Sequence, residues 1–192
     1  LESLTREVEN GVAYDPTSPD LNTAQKQVIR QHKMYCREIG AKVQPISVEQ
    51  RLSAFHQATG FLVSGQSDLV VATVEAEGRD LKTGVVKRGN AAQYGAYAML
   101  LESHGTRVLS FIEDYVKRAK MKDPQPKPVE VSYDVLRCKM IAASILRRIR
   151  QDLDAFIATG NPLSFLANPN SMLCGHKYCP AFGTDWCLEH AQ

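Results

Sequence analysis

Two acidic residues and a lysine stand at a spacing that could carry metal-dependent phosphodiester chemistry. Asp68 follows Gly65 by three positions, and the run Asp80-Leu81-Lys82 begins twelve residues after Asp68. One or two carboxylates, completed by water, are what Mg²⁺ typically takes from a protein. Residues i and i+2 of a strand share a face, so the ammonium group at 82 should lie beside the carboxylate at 80. A metal ion and a neighbouring ammonium group both stabilise charge on a phosphate under attack.

Each of these patterns is also common in structural roles. An isolated Asp-x-Lys is most often an exposed strand face, and Gly-x-x-Asp is often a turn. The order of the motifs favours the chemical interpretation. The Gly-x-x-Asp lies in a β-rich run, the Asp-Leu-Lys-Thr-Gly follows it, and a predicted helix then carries Gln93 and Tyr97.

Alternating and helical apolar patterns predict an α/β domain with one central mixed β-sheet flanked by helices. Helices are predicted from Leu21 to about Gly40, over 90–103, and from about Tyr133 to Thr159. Strands are predicted over 43–52, 60–74, 79–83 and 108–112, with a hairpin turn near 57–59. Charge and three prolines make 120–128 a linker. We expect residues 1–162 to form the core domain and residues 163–192 a cysteine-rich tail that packs on it.

The composition is that of an ordinary globular protein. The 192 residues are 44% hydrophobic and 23% charged, with a net charge of +2. There is no apolar run long enough to cross a membrane and no signal-peptide pattern, so we expect an intracellular, cytoplasmic protein without a membrane partner. Five cysteines, an odd number, argue against a disulfide framework.

The runs GQSDLVV, RDLKTG and QYGAYAMLL resemble motifs of the RecB-like branch of the PD-(D/E)XK nucleases, which includes phage exonucleases and CRISPR-associated nucleases. The motif-bearing part covers about residues 43–103. The resemblance implies a restriction-endonuclease-like fold and a Mg²⁺- or Mn²⁺-dependent hydrolase acting on DNA. It also implies that Asp68 and Asp80, joined by the Leu81 carbonyl, are metal ligands.

The same resemblance makes Lys82 the catalytic lysine, with Gln93 and Tyr97 as a helix motif that positions DNA and the catalytic groups. The expected activity is that of an exonuclease in phage-type recombination, replication or repair, in the host cytoplasm if the protein is phage-encoded. The expected partners are single-stranded DNA or duplex ends and a recombination or replication protein. The alternative is a catalytically weak, nuclease-like DNA-end-binding module of a larger complex.

Two positions depart from the family pattern. The family usually has an upstream histidine as a further metal ligand, and no histidine of this chain has that sequence setting. The chain opens with Leu1 rather than methionine, which leaves room for such a residue before it. Arg79 stands where an apolar residue is usual, and would either tilt the strand end or bind a phosphate. Glu49 is a candidate extra acid, with a surface role as the favoured alternative.

Candidate DNA contacts are basic, because phosphates are bound mainly by lysine and arginine. Lys87 and Arg88, just after the predicted catalytic strand, are the leading candidates. Tyr94 and Phe182 could stack on bases, although core packing is favoured for both. Three further basic groups could also contact DNA, although a solvated face is favoured for each. They are Arg147, Arg148 and Arg150 on the long helix, Lys117, Arg118, Lys120 and Lys122 near the linker, and Lys26, Arg30, His32, Lys33 and Arg37 on the first helix.

Three cysteines of the tail, Cys174, Cys179 and Cys187, form a candidate metal centre. Thiolates clustered in an intracellular chain indicate a metal, either an iron–sulfur cluster with four thiolates or zinc with three thiolates and a histidine. Unligated reduced cysteines are the alternative. Several RecB-like nucleases hold a [4Fe-4S] cluster with three C-terminal cysteines and one N-terminal cysteine. That resemblance favours the cluster and makes Cys36 the candidate fourth ligand, while Cys138 is predicted to be a core residue.

Overall fold

Helices are separated by groups of consecutive strands along the chain, and the sequence predicts most of this order. The computed structural model describes residues 19–72, 76–84, 90–161, 164–165, 175–185 and 187. The elements, in chain order, are helix α1 (Leu21–Glu38), a 3₁₀ helix (Gly40–Lys42), strands β1 (Pro45–His56), β2 (Phe61–Val71) and β3 (Ala76–Thr83), helix α2 (Ala91–Ser103), strands β4 (Val108–Val116) and β5 (Val129–Asp134), and helix α3 (Val135–Thr159).

The strands form one mixed sheet of order β1-β2-β3-β4-β5. β3 pairs with β2 antiparallel and with β4 parallel, and β4 pairs with β5 antiparallel. Parallel neighbours need a long crossover connection, and α2 lies between β3 and β4 in the chain. The prediction of an α/β fold with a mixed sheet is therefore confirmed.

The described chain divides into two compact units. One comprises the residues up to Phe55 and Leu62–Ala142; the other comprises His56–Phe61 and the residues from Ala143 onward. The first unit contains nearly all of the sheet. In the second, Phe156 and Phe165 pack with ring centroids 5.5 Å apart, and Arg150 lies over the Phe61 ring. The predicted tail is described only in part, so the predicted boundary at 162 stays a prediction.

The core of the first unit lies between the sheet and α2. Tyr94 of α2 is fully buried and stacks on Phe111 of β4 at 5.1 Å, which confirms core packing for this tyrosine. Gly78 pairs with Phe111 across β3 and β4, and a Cβ at Gly78 would overlap the Phe111 ring. Glycine is therefore required there to seat the aromatic ring. Cys138 belongs to the same core, as predicted.

Several element boundaries differ from the prediction, and one strand was missed. β4 continues four residues past Ile112 to Val116, with two acidic residues buried in that extension. β5 was missed: residues 129–132 were given no element, and the helix predicted from about Tyr133 included its last two residues. α3 begins at Val135 instead of Tyr133, since the Asp134 side chain accepts a hydrogen bond from the Arg137 backbone N–H at 3.0 Å and caps the helix.

Helix α1 packs on the opposite face of the sheet from α2. The Gln31 amide donates to the Val116 carbonyl at 2.9 Å, and the Tyr35 hydroxyl donates to Asp114 at 3.3 Å. Asp20 caps the start of α1 by accepting from the Thr23 N–H at 3.0 Å. None of the helices in the described part of the chain is long and apolar enough to cross a bilayer.

Candidate active site

Three acidic residues lie in a row across three adjacent strands. Leu69 of β2 faces Arg79 of β3 in the antiparallel register, so the next pair along is Asp68 and Asp80. In the parallel register of β3 and β4, Asp80 is the partner of Glu113. Cross-strand partners point to the same face of a sheet. The register alone thus gathers the two predicted metal ligands and adds a third acid.

Lys82 lies beside Asp80, as the alternation of the strand predicts. Its Nζ is 2.6 Å from Asp80 Oδ2, and its side chain keeps 33% of its surface exposed. Asp80 itself is only 3% exposed, and its second oxygen, Oδ1, is buried without a hydrogen-bond partner among the described residues. A buried carboxylate oxygen without a partner is costly, so Oδ1 is set up to receive a ligand.

The electrostatics of this cluster favour a bound cation. Desolvation of the carboxyl group, followed by the neighbouring Asp80, raises the pKa of Asp68 to about 6. Partial burial is the larger cause of this rise in pKa, and the negative charge of Asp80 adds to it. Desolvation opposes the charge on Lys82, but contact with Asp80 outweighs it and raises the pKa of Lys82. Lys82 is therefore positively charged at neutral pH.

Tyr94 and Glu113 form a support for Asp80 that sequence reasoning missed. The Tyr94 hydroxyl lies 2.8 Å from Asp80 Oδ2 and 2.6 Å from Glu113 Oε1, so its single proton serves two buried carboxylates. Asn90 also donates to Glu113 Oε1, and the Tyr133 hydroxyl donates to Oε2 at 2.8 Å. Desolvation opposes the charge on Glu113, but these donors outweigh it and lower its pKa. Asp80 Oδ2 is thus held by two groups, the Tyr94 hydroxyl and Lys82 Nζ.

A signal for Glu113 was present in the sequence. The acidic pair Glu113-Asp114 follows an apolar strand directly, and charged residues are rarely buried without partners. The predicted strand ended at Ile112, which left both acids in a solvated connection. Their burial depends on β5, which pairs with β4 along this stretch, and β5 was not predicted.

The two residues of the helix motif contact each other. Gln93 and Tyr97 of α2 are one turn apart, and the Gln93 amide donates to the Tyr97 hydroxyl at 2.8 Å. A Cβ at Gly65 would lie 2.9 Å from the Tyr97 ring, so the glycine of the Gly-x-x-Asp motif makes room for this tyrosine. Within the described residues, neither side chain hydrogen-bonds to Asp68, Asp80 or Lys82.

The donor set near Asp80 fits a hard divalent cation that keeps most of its water. Asp68 and the partnerless Asp80 Oδ1 supply two carboxylates, and the Leu81 carbonyl follows Asp80 directly. Mg²⁺ is commonly bound in this way, through one or two carboxylates. No group of three or more His, Cys, Asp or Glu side chains in the described part of the chain is arranged around a metal position.

Arg79 does not lie beside the site. It is on the opposite face of β3 from Asp80, 8% exposed, and makes a two-point ion pair with Asp114, at 3.0 Å through Nε and 2.7 Å through Nη2. Glu77 accepts from its Nη1 at 2.7 Å. The interpretation of Arg79 as a phosphate-binding residue is therefore wrong. Glu49 is exposed, and its charge adds to the rise in the pKa of Asp68.

The structure describes some of the remaining predicted site residues but not others. Cys36 is exposed on α1, with its Sγ 3.5 Å from the His32 ring. Cys179 and Cys187 are half-buried free thiols. Lys87, Arg88 and Cys174 lie outside the described residues. The predicted DNA contacts and the predicted ligand set of the tail both stay predictions.

Comparison with known proteins adds little. No protein-family model matches the chain, and no curated protein matches it. Among solved structures, the crystal structure of SSO0001 is similar at 13% identity and a TM-score of 0.35, covering 75% of this chain and 68% of that one. A similarity at this level supports no conclusion about the function of this chain.

Proposed function

We propose that this protein is a metal-dependent deoxyribonuclease of the RecB-like PD-(D/E)XK type that acts as an exonuclease on DNA. The observation that carries the proposal is the arrangement around Asp80. Asp68 is its cross-strand partner, Lys82 Nζ is 2.6 Å from its Oδ2, and its Oδ1 is buried without a partner among the described residues. A carboxylate pair that can hold a metal ion, with an ammonium group beside it, can activate water and stabilise charge on a phosphodiester under attack.

Asp68 and Asp80, with the Leu81 carbonyl, would hold Mg²⁺ or Mn²⁺. The ion supplies water activation and charge stabilisation at the phosphate when it is bound. Tyr94 and Lys82 hold Oδ2 of Asp80, which leaves Oδ1 directed to the ligand position. The buried position of Asp80 also excludes bulk water from one side of the carboxylate, which strengthens its interactions.

Lys82 acts at the edge of this site. It is one-third exposed and positively charged, so it can reach a phosphate oxygen while it keeps its contact with Asp80. A fixed ammonium group there stabilises the negative charge that grows on the phosphate during attack, or orients the attacking water. Gln93 and Tyr97 lie on α2, and their mutual hydrogen bond presents one polar edge for a DNA strand.

Cleavage of end-labelled DNA tests this function directly. Single-stranded and duplex substrates are incubated with the protein in Mg²⁺, Mn²⁺ or EDTA. We expect metal-dependent loss of terminal nucleotides, and a decrease of about 10²–10³-fold in rate for Lys82→Ala. Lys139→Ala is the matched control, because Lys139 also pairs with a carboxylate, that of Glu102. If the unmodified protein and both variants released nucleotides at the same rate with and without metal, the proposal would be refuted.

A second candidate is a DNA-end-binding module with little or no catalysis. The observation that favours it is that no three-residue metal group occurs in the described part of the chain. Under this alternative the Lys82→Ala protein and the unmodified protein bind DNA ends equally, and neither cleaves. The cleavage assay above separates the two candidates.

We further propose that Cys174, Cys179 and Cys187 hold a metal centre, a [4Fe-4S] cluster in preference to zinc, with Cys36 as the candidate fourth ligand. Cys179 and Cys187 are both free and half-buried, which suits ligands that are accessible during assembly and covered afterwards. Iron and acid-labile sulfide analysis of freshly purified protein distinguishes a cluster from zinc. A protein with neither metal would refute the proposal.

A further inference from the structure

We infer that α1 and the segment 117–127 together form a second DNA-binding surface, which holds the phosphate backbone of the substrate outside the reaction site. The inference rests on the proposed nuclease function for the identity of the ligand. Its residues, called the basic surface below, are Lys26, Arg30, Lys33 and Arg37 of α1 and Lys117, Arg118, Lys120, Lys122 and Lys127 of the segment. From the sequence, a solvated face was favoured over a DNA contact for the groups to which all of these residues except Lys127 belong.

The helical half of this surface is a single stripe. Lys26, Arg30, Lys33 and Arg37 follow spacings of four, three and four, which places them on one side of α1. The sheet-facing side of the helix is a different one, since Gln31 and Tyr35 make the contacts to β4. The stripe is therefore directed away from the sheet.

Arg30 joins the two halves. Its guanidinium group donates to the backbone carbonyls of Lys120 at 3.3 Å and Met121 at 3.4 Å, and also to that of Asp123. One side chain thus fixes a segment that has no regular secondary structure of its own. A second tie is the ion pair of Lys127 with Glu38 at 3.2 Å. The lysines of the segment are held next to the stripe, although the two are about 90 residues apart in the chain.

Positive charge is concentrated on this surface. The two stretches that form it contain nine of the 23 Lys and Arg residues but only two of the 21 acidic residues, Glu38 and Asp123. The rest of the chain is therefore net negative. Within the described residues, no ion pair neutralises the six exposed side chains of Lys26, Lys33, Lys117, Arg118, Lys120 and Lys122. Like charges held together without counter-charges repel each other, and a polyanion relieves that repulsion.

The basic surface begins at the edge of the sheet that carries the reaction site. Thr83 at the end of β3 is the register partner of Val116 at the end of β4, and Lys82 stands one residue before Thr83. Lys117, the first residue of the segment, follows Val116 directly. The carboxyl ends of the two parallel strands thus place the site and the start of the basic surface at one edge. Lys117 thus lies at the same end of the sheet as the site, whereas the stripe of α1 lies on the opposite face of the sheet from Asp80 and Lys82.

Salt-dependent binding tests this inference independently of catalysis. The Kd for a labelled duplex is measured in EDTA at several salt concentrations, so that no cleavage occurs. The triple variant Lys117→Gln/Lys120→Gln/Lys122→Gln removes three exposed cations from the segment. If each contacts one phosphate, the slope of log K against log[salt] falls by about 2.7 in magnitude. Arg30→Met should also weaken binding at every salt concentration, because the segment loses its attachment to α1.

The matched control is Arg147→Gln/Arg148→Gln/Arg150→Gln on α3, which removes the same net charge. We expect its slope to remain within about 1 of that of the unmodified protein. An unchanged slope for the 117/120/122 variant, or equal losses in both triple variants, would overturn the inference. Unchanged DNA binding together with lost binding to anionic lipid vesicles would also overturn it. A protein with the predicted slopes that cleaves no DNA would refute the nuclease proposal but leave this surface intact.

Discussion

Replacing Arg79 by methionine should destabilise the protein strongly, because it leaves buried negative charge without a counter-charge. Arg79 is 8% exposed and Asp114 is fully buried, and two hydrogen bonds join them at 3.0 and 2.7 Å. Glu77, at 2.7 Å, depends on the same guanidinium group. Methionine retains most of the length of the side chain, so the loss of stability comes more from the missing charge than from missing volume.

The expected loss follows from the burial of the pair. Removing one partner of a buried ion pair costs about 3–5 kcal/mol, because the remaining charge is desolvated and unpaired. The Tyr35 hydroxyl donates to Asp114 at 3.3 Å and compensates only weakly at that distance. For a chain of this size, each kcal/mol lowers the Tm by about 2–4 °C, so a decrease of roughly 6–20 °C is expected.

Thermal and urea unfolding, followed by circular dichroism, measure this loss. Arg148→Met is the control, because Arg148 pairs with Asp152 at 2.8 Å while 59% of its side chain is exposed. Exposed pairs contribute less than about 1 kcal/mol. The double variant Arg79→Met/Asp114→Leu should recover much of the lost stability, since it removes the buried charge as well. A loss below about 1 kcal/mol for Arg79→Met would refute the reasoning.

Three further predictions concern the site, the packing and the tail. Tyr94→Phe removes the hydroxyl that holds Asp80 Oδ2, so the affinity for Mn²⁺ should fall about 10–100-fold, as measured by calorimetry. Gly95→Ala should destabilise the protein by about 1–3 kcal/mol in urea unfolding, because a Cβ there overlaps the backbone of α3. Cys179→Ser should lower the iron or zinc content of purified protein, as measured by atomic absorption.

The controls for these predictions are specific to each. For Tyr94→Phe, an unchanged Mn²⁺ affinity would show that the hydroxyl does not position the carboxylate. Gly175→Ala is matched to Gly95→Ala and should be nearly neutral, since a Cβ at Gly175 meets nothing within 4 Å. Equal stability of both glycine variants would contradict the packing argument. For the tail, Cys138→Ser should leave the metal content unchanged, because Cys138 lies in the core.

Local pattern was sufficient for much of the fold and for part of the site. Three helices and three strands were recognisable from the sequence: α1, α2 and α3, and β1, β2 and β3. Each shows its apolar pattern within one short stretch of the chain, so no other element is needed to recognise it. The placement of Lys82 beside Asp80 followed from the alternation of a single strand. Neither conclusion required knowledge of which elements meet.

The tertiary structure decided what depends on pairing between distant segments. Glu113 lies in the site only because β4 runs parallel to β3 in a register that pairs Glu113 with Asp80. A shift of β4 by one residue would turn the Glu113 side chain to the other face of the sheet and put Asp114 in its place. Of the two roles suggested for Arg79, phosphate binding was wrong, because the carboxylate partners that bury it lie up to 51 residues away along the chain. The sequence by itself determined which residues are able to do chemistry. The pairing of the strands decided which of them meet, because cross-strand neighbours are fixed by register and not by distance along the chain.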